Sequence, residues 1–166
     1  MSCISVALLK DGEAYIGVVY NPYLDELFHA VRGGGAFLNG RPIRCAQDDL
    51  SGSVVCFGTS PYNPELSDRT FSLARALFEG SLDLRREGTA ELDLCSVAAG
   101  RAGAYFELSL SLWDYAAGAL LVEEAGGLCR TAEGGPLPFA DGKSSVVAAA
   151  NARVMDEFLR LAGAEA

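Results

Sequence analysis

The chain has 166 residues, half of them hydrophobic and about a fifth charged, which suits one ordinary folded domain or two small ones with a real core. Its net charge of −9 argues against nucleic-acid partners, which need a basic face, and its apolar runs are far too short to span a bilayer. The five cysteines (Cys3, Cys45, Cys56, Cys95 and Cys129) and the lone His29 form no CxxC or Cys/His cluster. That pattern argues against a zinc site and a disulfide framework and predicts buried free thiols in a reducing compartment. No basic region precedes the first apolar run, so the expected residence is cytoplasmic.

In chain order, Cys3 to Leu9 and Glu13 to Tyr20 read as two strands of a hairpin turned by Asp11-Gly12. Glu26 to Val31 reads as a third strand. Gly33-Gly34-Gly35 and Asn39-Gly40 punctuate a loop that returns through Arg41-Pro42-Ile43. A polar stretch, Asp48 to Gly52, marks an expected boundary between residues 1–50, an antiparallel sheet, and residues 51–166, where strands and helices alternate. In that second part Ser53 to Gly58 is a strand, and Asn63-Pro64 opens a helix with Phe71, Ala74, Leu77 and Phe78 as its apolar stripe. Leu82 to Arg86 is a strand, and Gly88-Thr89 opens a helix that runs to about Gly100. Ala104 to Leu108 is a strand. Asp114 is placed to cap a helix ending at Gly126-Gly127. Gly127 to Thr131 and Ser145 to Ala150 are strands, and Asn151 caps a last helix whose Val154, Phe158 and Leu161 face inward. The expected class is α/β (α+β): a small antiparallel sheet followed by a layered α/β/α unit.

Three places have residue types suited to chemistry. Asp114, in Trp113-Asp114-Tyr115-Ala116-Ala117-Gly118, has two compatible readings: a helix cap, and an oxygen ligand for a hard divalent cation. Ala116, Ala117 and Gly118 make a smooth surface for close packing. Gly88-Thr89-Ala90 puts a glycine and a hydroxyl at a helix start, where N–H groups and the dipole favour an anion. Glu107 ends an apolar strand, where ligand groups gather in α/β sheets. Glu123-Glu124 reads as a solvated helix face, and Ser60, Ser96 and Ser111 lack a nucleophile signature.

Taken together the segments resemble the inositol monophosphatase family. The resemblance rests on Gly17-Val18-Val19-Tyr20-Asn21-Pro22, Asp25-Glu26-Leu27 and Gly33 to Gly40. It continues in Gly88-Thr89-Ala90, Leu92-Asp93-Leu94, Ala98-Ala99-Gly100-Arg101, the Trp113 to Gly118 run and Glu123 to Gly127. It implies magnesium-dependent hydrolysis of a phosphate monoester on a small polyol or sugar, of the inositol-1-phosphate type, in a homodimer with no nucleic-acid or membrane partner. It also implies that Asp114 is a metal ligand, that Gly88, Thr89, Ala90 and Asp114 face the substrate, and that Glu107 bonds sugar-type hydroxyls.

The departures set further expectations. The family's Asp-Pro-x-Asp-Gly-Thr run and its preceding glutamate, which supply most metal ligands, do not occur, and no catalytic set is complete. Met1 falls about where the family chain leaves that run, and Gly103 stands where relatives more often carry an aspartate. The chain is therefore expected to be an N-terminally truncated, inactive form whose first sheet lacks its covering helices and is prone to self-association. Two alternatives stay open: a non-catalytic binding or dimerisation module, and a phosphatase of nucleotide 3′-phosphates or sugar bisphosphates.

Overall fold

The computed structural model describes residues 2–164. Met1, and the last two residues of the expected second unit, lie outside the described residues. Residues up to 43 form one antiparallel sheet in the order β1-β2-β3-β4-β5: β1 (Ile4–Lys10), β2 (Glu13–Asn21), β3 (Glu26–Val31), β4 (Ala36–Leu38) and β5 (Arg41–Ile43). The last two correct the expected loop. Asn39-Gly40 has both residues at positive φ (49° and 74°), the conformation that closes a two-residue hairpin, so short strands form on either side of it.

Alternation along these strands sorts their side chains into two faces. Ala14, Val19, Phe28, Ala30 and Ala36 are buried against helices. The other face has three cross-strand rows: Ile4–Tyr20–Leu27, Val6–Val18–His29–Phe37 and Leu8–Ile16–Val31. His29 stacks on Phe37 at 5.1 Å, and Ile4, Val6 and Leu8 remain 63%, 62% and 54% exposed.

The second sheet is mixed, in the order β7-β6-β8-β10-β9: β6 (Val54–Phe57), β7 (Asp83–Arg85), β8 (Ala104–Ser111), β9 (Leu128–Arg130) and β10 (Lys143–Ala149). β6 runs parallel to both β7 and β8, while β10 is antiparallel to β8 and β9. Helices α1 (Ser67–Gly80) and α4 (Ala152–Ala164) cover one face. Helices α2 (Ala90–Ala98) and α3 (Ala116–Glu124) lie between the sheets, giving four layers: sheet, helices, sheet, helices. Phe106, Leu77, Val154 and Phe158 are all at or below 1% exposure in the outer helix layer's core, each such burial contributing about 2 kcal/mol.

Two expectations about helix faces need correcting. α1 turns Thr70, Leu73, Ala74 and Leu77 inward, and Phe71 and Phe78 point outward at 56% exposure each. The inward stripe follows the 3.6-residue repeat through Leu73, a position the expected stripe omitted. Glu123-Glu124 is not a solvated face. Glu124 accepts the Gly33 and Gly35 N–H groups at 2.8 Å each, and Arg32 donates to Glu123 at 3.2 Å. These carboxylates clasp the β3–β4 loop onto the end of α3. The smooth Ala116-Ala117-Gly118 surface is used on both sides. A Cβ on Gly17 of β2 would come within 2.8 Å of the Ala117 carbonyl, and one on Gly118 within 2.6 Å of the Leu94 side chain. Asn151 caps α4 as expected, accepting the Val154 N–H at 3.1 Å.

Candidate functional site

A cavity of about 950 Å³ opens where the start of α2, the middle of β8 and the turn before α3 converge. Gly88, Thr89, Ala90, Glu107 and Asp114 all line it, so the fold brings the five residues singled out from sequence to one place. Arg86, Lys143 and Glu91, which sequence reasoning passed over, line it too, as does Ser60, set aside there for lacking a nucleophile signature.

Thr89 takes the N-cap position of α2 with an extended backbone (φ −142°, ψ 107°), and its carbonyl receives the Leu92 and Asp93 N–H groups at 3.1 Å. Gly88 has φ +86°, a left-handed conformation that lets the chain turn sharply into the helix. The helix start therefore presents its first N–H groups and the positive end of its dipole towards the cavity.

Glu107 corrects the strand-end expectation. β8 continues to Ser111, and Glu107 is buried in mid-strand at 9% exposure. Its Oε1 accepts the Ser60 N–H at 2.8 Å and the Ser60 hydroxyl at 3.3 Å, and its Oε2 accepts the Tyr105 hydroxyl at 2.9 Å. Ser60 itself sits at φ +43° and takes the Ser109 N–H on its Oγ at 3.1 Å. Gly58 is required alongside, because a Cβ there would lie 1.9 Å from Glu107 Oε2. The result is a carboxylate fixed in one orientation at the cavity wall. Burial, followed by the Glu107 charge, pushes the Tyr105 phenol well above its usual range, so it stays a donor.

Asp114 closes a single 3₁₀ turn, Leu112–Asp114, and its Oδ2 accepts the Ser111 N–H at 2.9 Å, while the Ser111 side chain accepts the Asp114 N–H. The carboxylate therefore does not cap α3, as the sequence suggested. That cap comes from α2: Glu91 Oε2 accepts the Gly118 N–H at 2.6 Å. Glu91 is 4% exposed, and its other oxygen is buried without a hydrogen-bond partner. Burial drives its carboxyl up to about 8 despite the Gly118 and Ala117 N–H groups, with Asp114 adding a smaller push. Asp93, two residues on, is raised to about 7 by burial and then by Glu87. Glu91 was invisible in the sequence because its partner lies 27 residues away. The only available signal was an acid in the first turn of an otherwise apolar helix.

Magnesium, which the sequence resemblance implies, prefers a near-octahedral set of oxygens. Among the described residues no group of three or more His, Cys, Asp or Glu side chains is placed to hold an ion. One oxygen of Glu91 is taken by the α3 start, both of Glu107 by Ser60 and Tyr105, and one of Asp114 by the Ser111 N–H, while Asp93 lines the same cavity. The described residues do not make a magnesium site by themselves.

The order of the layers, with α2 and α3 between two five-stranded sheets and a large cavity at their shared edge, defines a two-sheet layered α/β protein. The chain belongs to the inositol monophosphatase family, whose model matches residues 1–164. It is 45% identical over 140 residues to an inositol-1-monophosphatase of Rhizobium meliloti, covering 84% of this chain and 53% of that protein. It is 44% identical over 142 residues to the Nus factor SuhB of Xylella fastidiosa, covering 85% of this chain and 52% of that protein. The crystal structure of the extragenic suppressor protein suhB from Bartonella henselae superposes with a TM-score of 0.88 at 38% identity, covering 96% of this chain and 60% of that one. The chain thus spans about half the length of the curated relatives it matches.

Proposed function

We propose that the chain holds the substrate-facing half of a phosphate-monoester site for a small phosphorylated polyol, with inositol 1-phosphate as the reference substrate. The observation that carries this reading is the convergence of the α2 start, Glu107 and Asp114 on one cavity. In this reading the phosphate sits at Gly88, Thr89 and Ala90, where N–H groups and the helix dipole meet it, with Arg86 and Lys143 adding positive charge at the wall. Glu107, held by Ser60 and Tyr105, accepts hydroxyls of the polyol ring. Asp114 contributes one ligand of the family's magnesium, and the remaining ligands come from outside residues 2–164.

Ligands that act as a unit are lost as a unit, so the 166-residue chain by itself hydrolyses at or near background. Phosphate release from inositol 1-phosphate by the purified chain with magnesium tests this. Robust turnover abolished by Asp114→Asn would overturn it. A second reading, a non-catalytic module, is supported by the Nus factor names of several relatives. The acidic net charge of −9 points such a module towards protein surfaces and away from direct contact with nucleic acid. Nucleotide 3′-phosphates and sugar bisphosphates are the competing substrates to run beside inositol 1-phosphate.

A further inference from the structure

We propose that Glu91 is a positioning residue for the phosphate: it fills the start of α3 from within and so confines a bound phosphate to the start of α2. The proposal rests on the reading of the α2 start as the phosphate's place. Both helices have nine residues and begin beside the same cavity, α2 at Ala90 and α3 just after the Asp114 turn. A helix start with free N–H groups attracts an anion, so the cavity has two candidate positions for one phosphate.

The α3 start has no acceptor of its own. Tyr115 stands at its N-cap without a side-chain bond to the helix, and the Asp114 carboxylate turns back to the Ser111 N–H. Glu91 reaches across from the first turn of α2, and its Oε2 accepts the Gly118 N–H at 2.6 Å. The cavity wall includes Glu91 but not Ala117 or Gly118, so the carboxyl stands between a ligand and those N–H groups. Gly118 keeps the place open for it, because a Cβ there would lie 2.5 Å from Glu91 Oε2. Helix capping alone does not account for this choice. Glu91 is 4% exposed and its Oε1 is buried without a hydrogen-bond partner, an arrangement that costs free energy. A hydroxyl or carboxylate at the α3 N-cap itself would serve the helix without burying an unpaired oxygen.

Inorganic phosphate titrated into the isotopically labelled chain at constant ionic strength, followed by amide NMR, tests the proposal. In the wild-type chain Gly88, Thr89 and Ala90 shift, and Ala117 and Gly118 hold still. Glu91→Ala deletes a fragment with the atoms of acetate and opens the α3 start. The Ala117 and Gly118 amides then join with saturable shifts, and added acetate suppresses them. Glu91→Gln keeps an oxygen for the Gly118 N–H and retains the wild-type pattern. A role limited to holding the helices together would lower the urea midpoint of Glu91→Ala and bring no phosphate response at α3. Should Glu91→Ala fail to fold, Glu91→Ser, equally too short to reach Gly118, carries the same expectation. Ala117 and Gly118 amides that ignore phosphate in the shortened variant, or that shift with it in the wild-type chain, would overturn the proposal. Silence at Gly88, Thr89 and Ala90 while α3 responds in the shortened variant would overturn the phosphate position assigned to α2, and the closure of α3 by Glu91 would stand.

Discussion

The two sheets carry similar sequence patterns but are covered differently. In the second sheet β10 is apolar on both faces from Val146 to Ala149, and helices cover both: α2 and α3 on one side, α1 and α4 on the other. In the first sheet β1 and β2 are apolar on both faces as well, yet among the described residues helices cover only one. A strand that is hydrophobic on both sides calls for cover on both sides. The pattern of β1 to β3 thus fits a sheet meant to be enclosed, and the described residues supply half of its enclosure.

The largest test of that contrast is a pair of truncations. Phe106→Ala in the second sheet removes a fully buried ring and is expected to cost about 4 kcal/mol in urea denaturation at any protein concentration. Val6→Ala on the open face is expected to cost under about 0.5 kcal/mol, because that side chain is largely exposed. Equal costs at low concentration would mean the face is already covered within one chain.

Acidity probes the helix layer between the sheets. Glu91 and Asp93 are raised to about 8 and about 7, so the folded chain keeps protons that the unfolded chain releases. Their contribution to stability is complete below about pH 4 and is lost as the pH rises through 7 to 8, a change on the order of a few kcal/mol. Thermal melts from pH 5 to 8.5 should show a falling midpoint, and Glu91→Gln should flatten the fall. An unchanged slope in Glu91→Gln would remove Glu91 as its source.

Smaller effects are expected where the first sheet is tied to α3 and on the outer surface. Glu124→Ala strips the Gly33 and Gly35 N–H groups of their acceptor and should cost about 1–2 kcal/mol, with faster amide exchange confined to the β3–β4 loop. Arg75→Ala breaks an exposed ion pair with Glu79 one helical turn away and should change stability by no more than about 0.5 kcal/mol.

Much of this arrangement was legible in the sequence because its signals are local. Asp11-Gly12, Asn39-Gly40 and Asn151 act within a few residues, and the Gly88-Thr89 run forms the start of α2 through its own backbone. What the sequence hid depends on distant partners. Glu91 caps α3 from another helix, Glu124 meets glycines 89 and 91 residues away, and Glu107 takes its orientation from Ser60 across the sheet. Glu124 read as a solvated acid and Glu107 as a strand-end acid, and Glu91 drew no reading, because nothing beside any of them in the chain marks a donor. The α1 stripe failed for a different reason: Phe71 and Phe78 are hydrophobic enough to suggest burial, but the helix phase that packs Leu73 and Leu77 turns them outward.

The central claim is that the start of α2 receives the phosphate while the chain alone does not complete the reaction. A titration of the isotopically labelled chain with inositol 1-phosphate, followed by amide NMR with and without magnesium, tests both halves at once. The account predicts saturable shifts at Gly88, Thr89 and Ala90, smaller ones around Glu107 and Asp114, and a substrate that remains intact. Shifts confined to other parts of the molecule, or conversion of the ligand to inositol and phosphate during the titration, would contradict it.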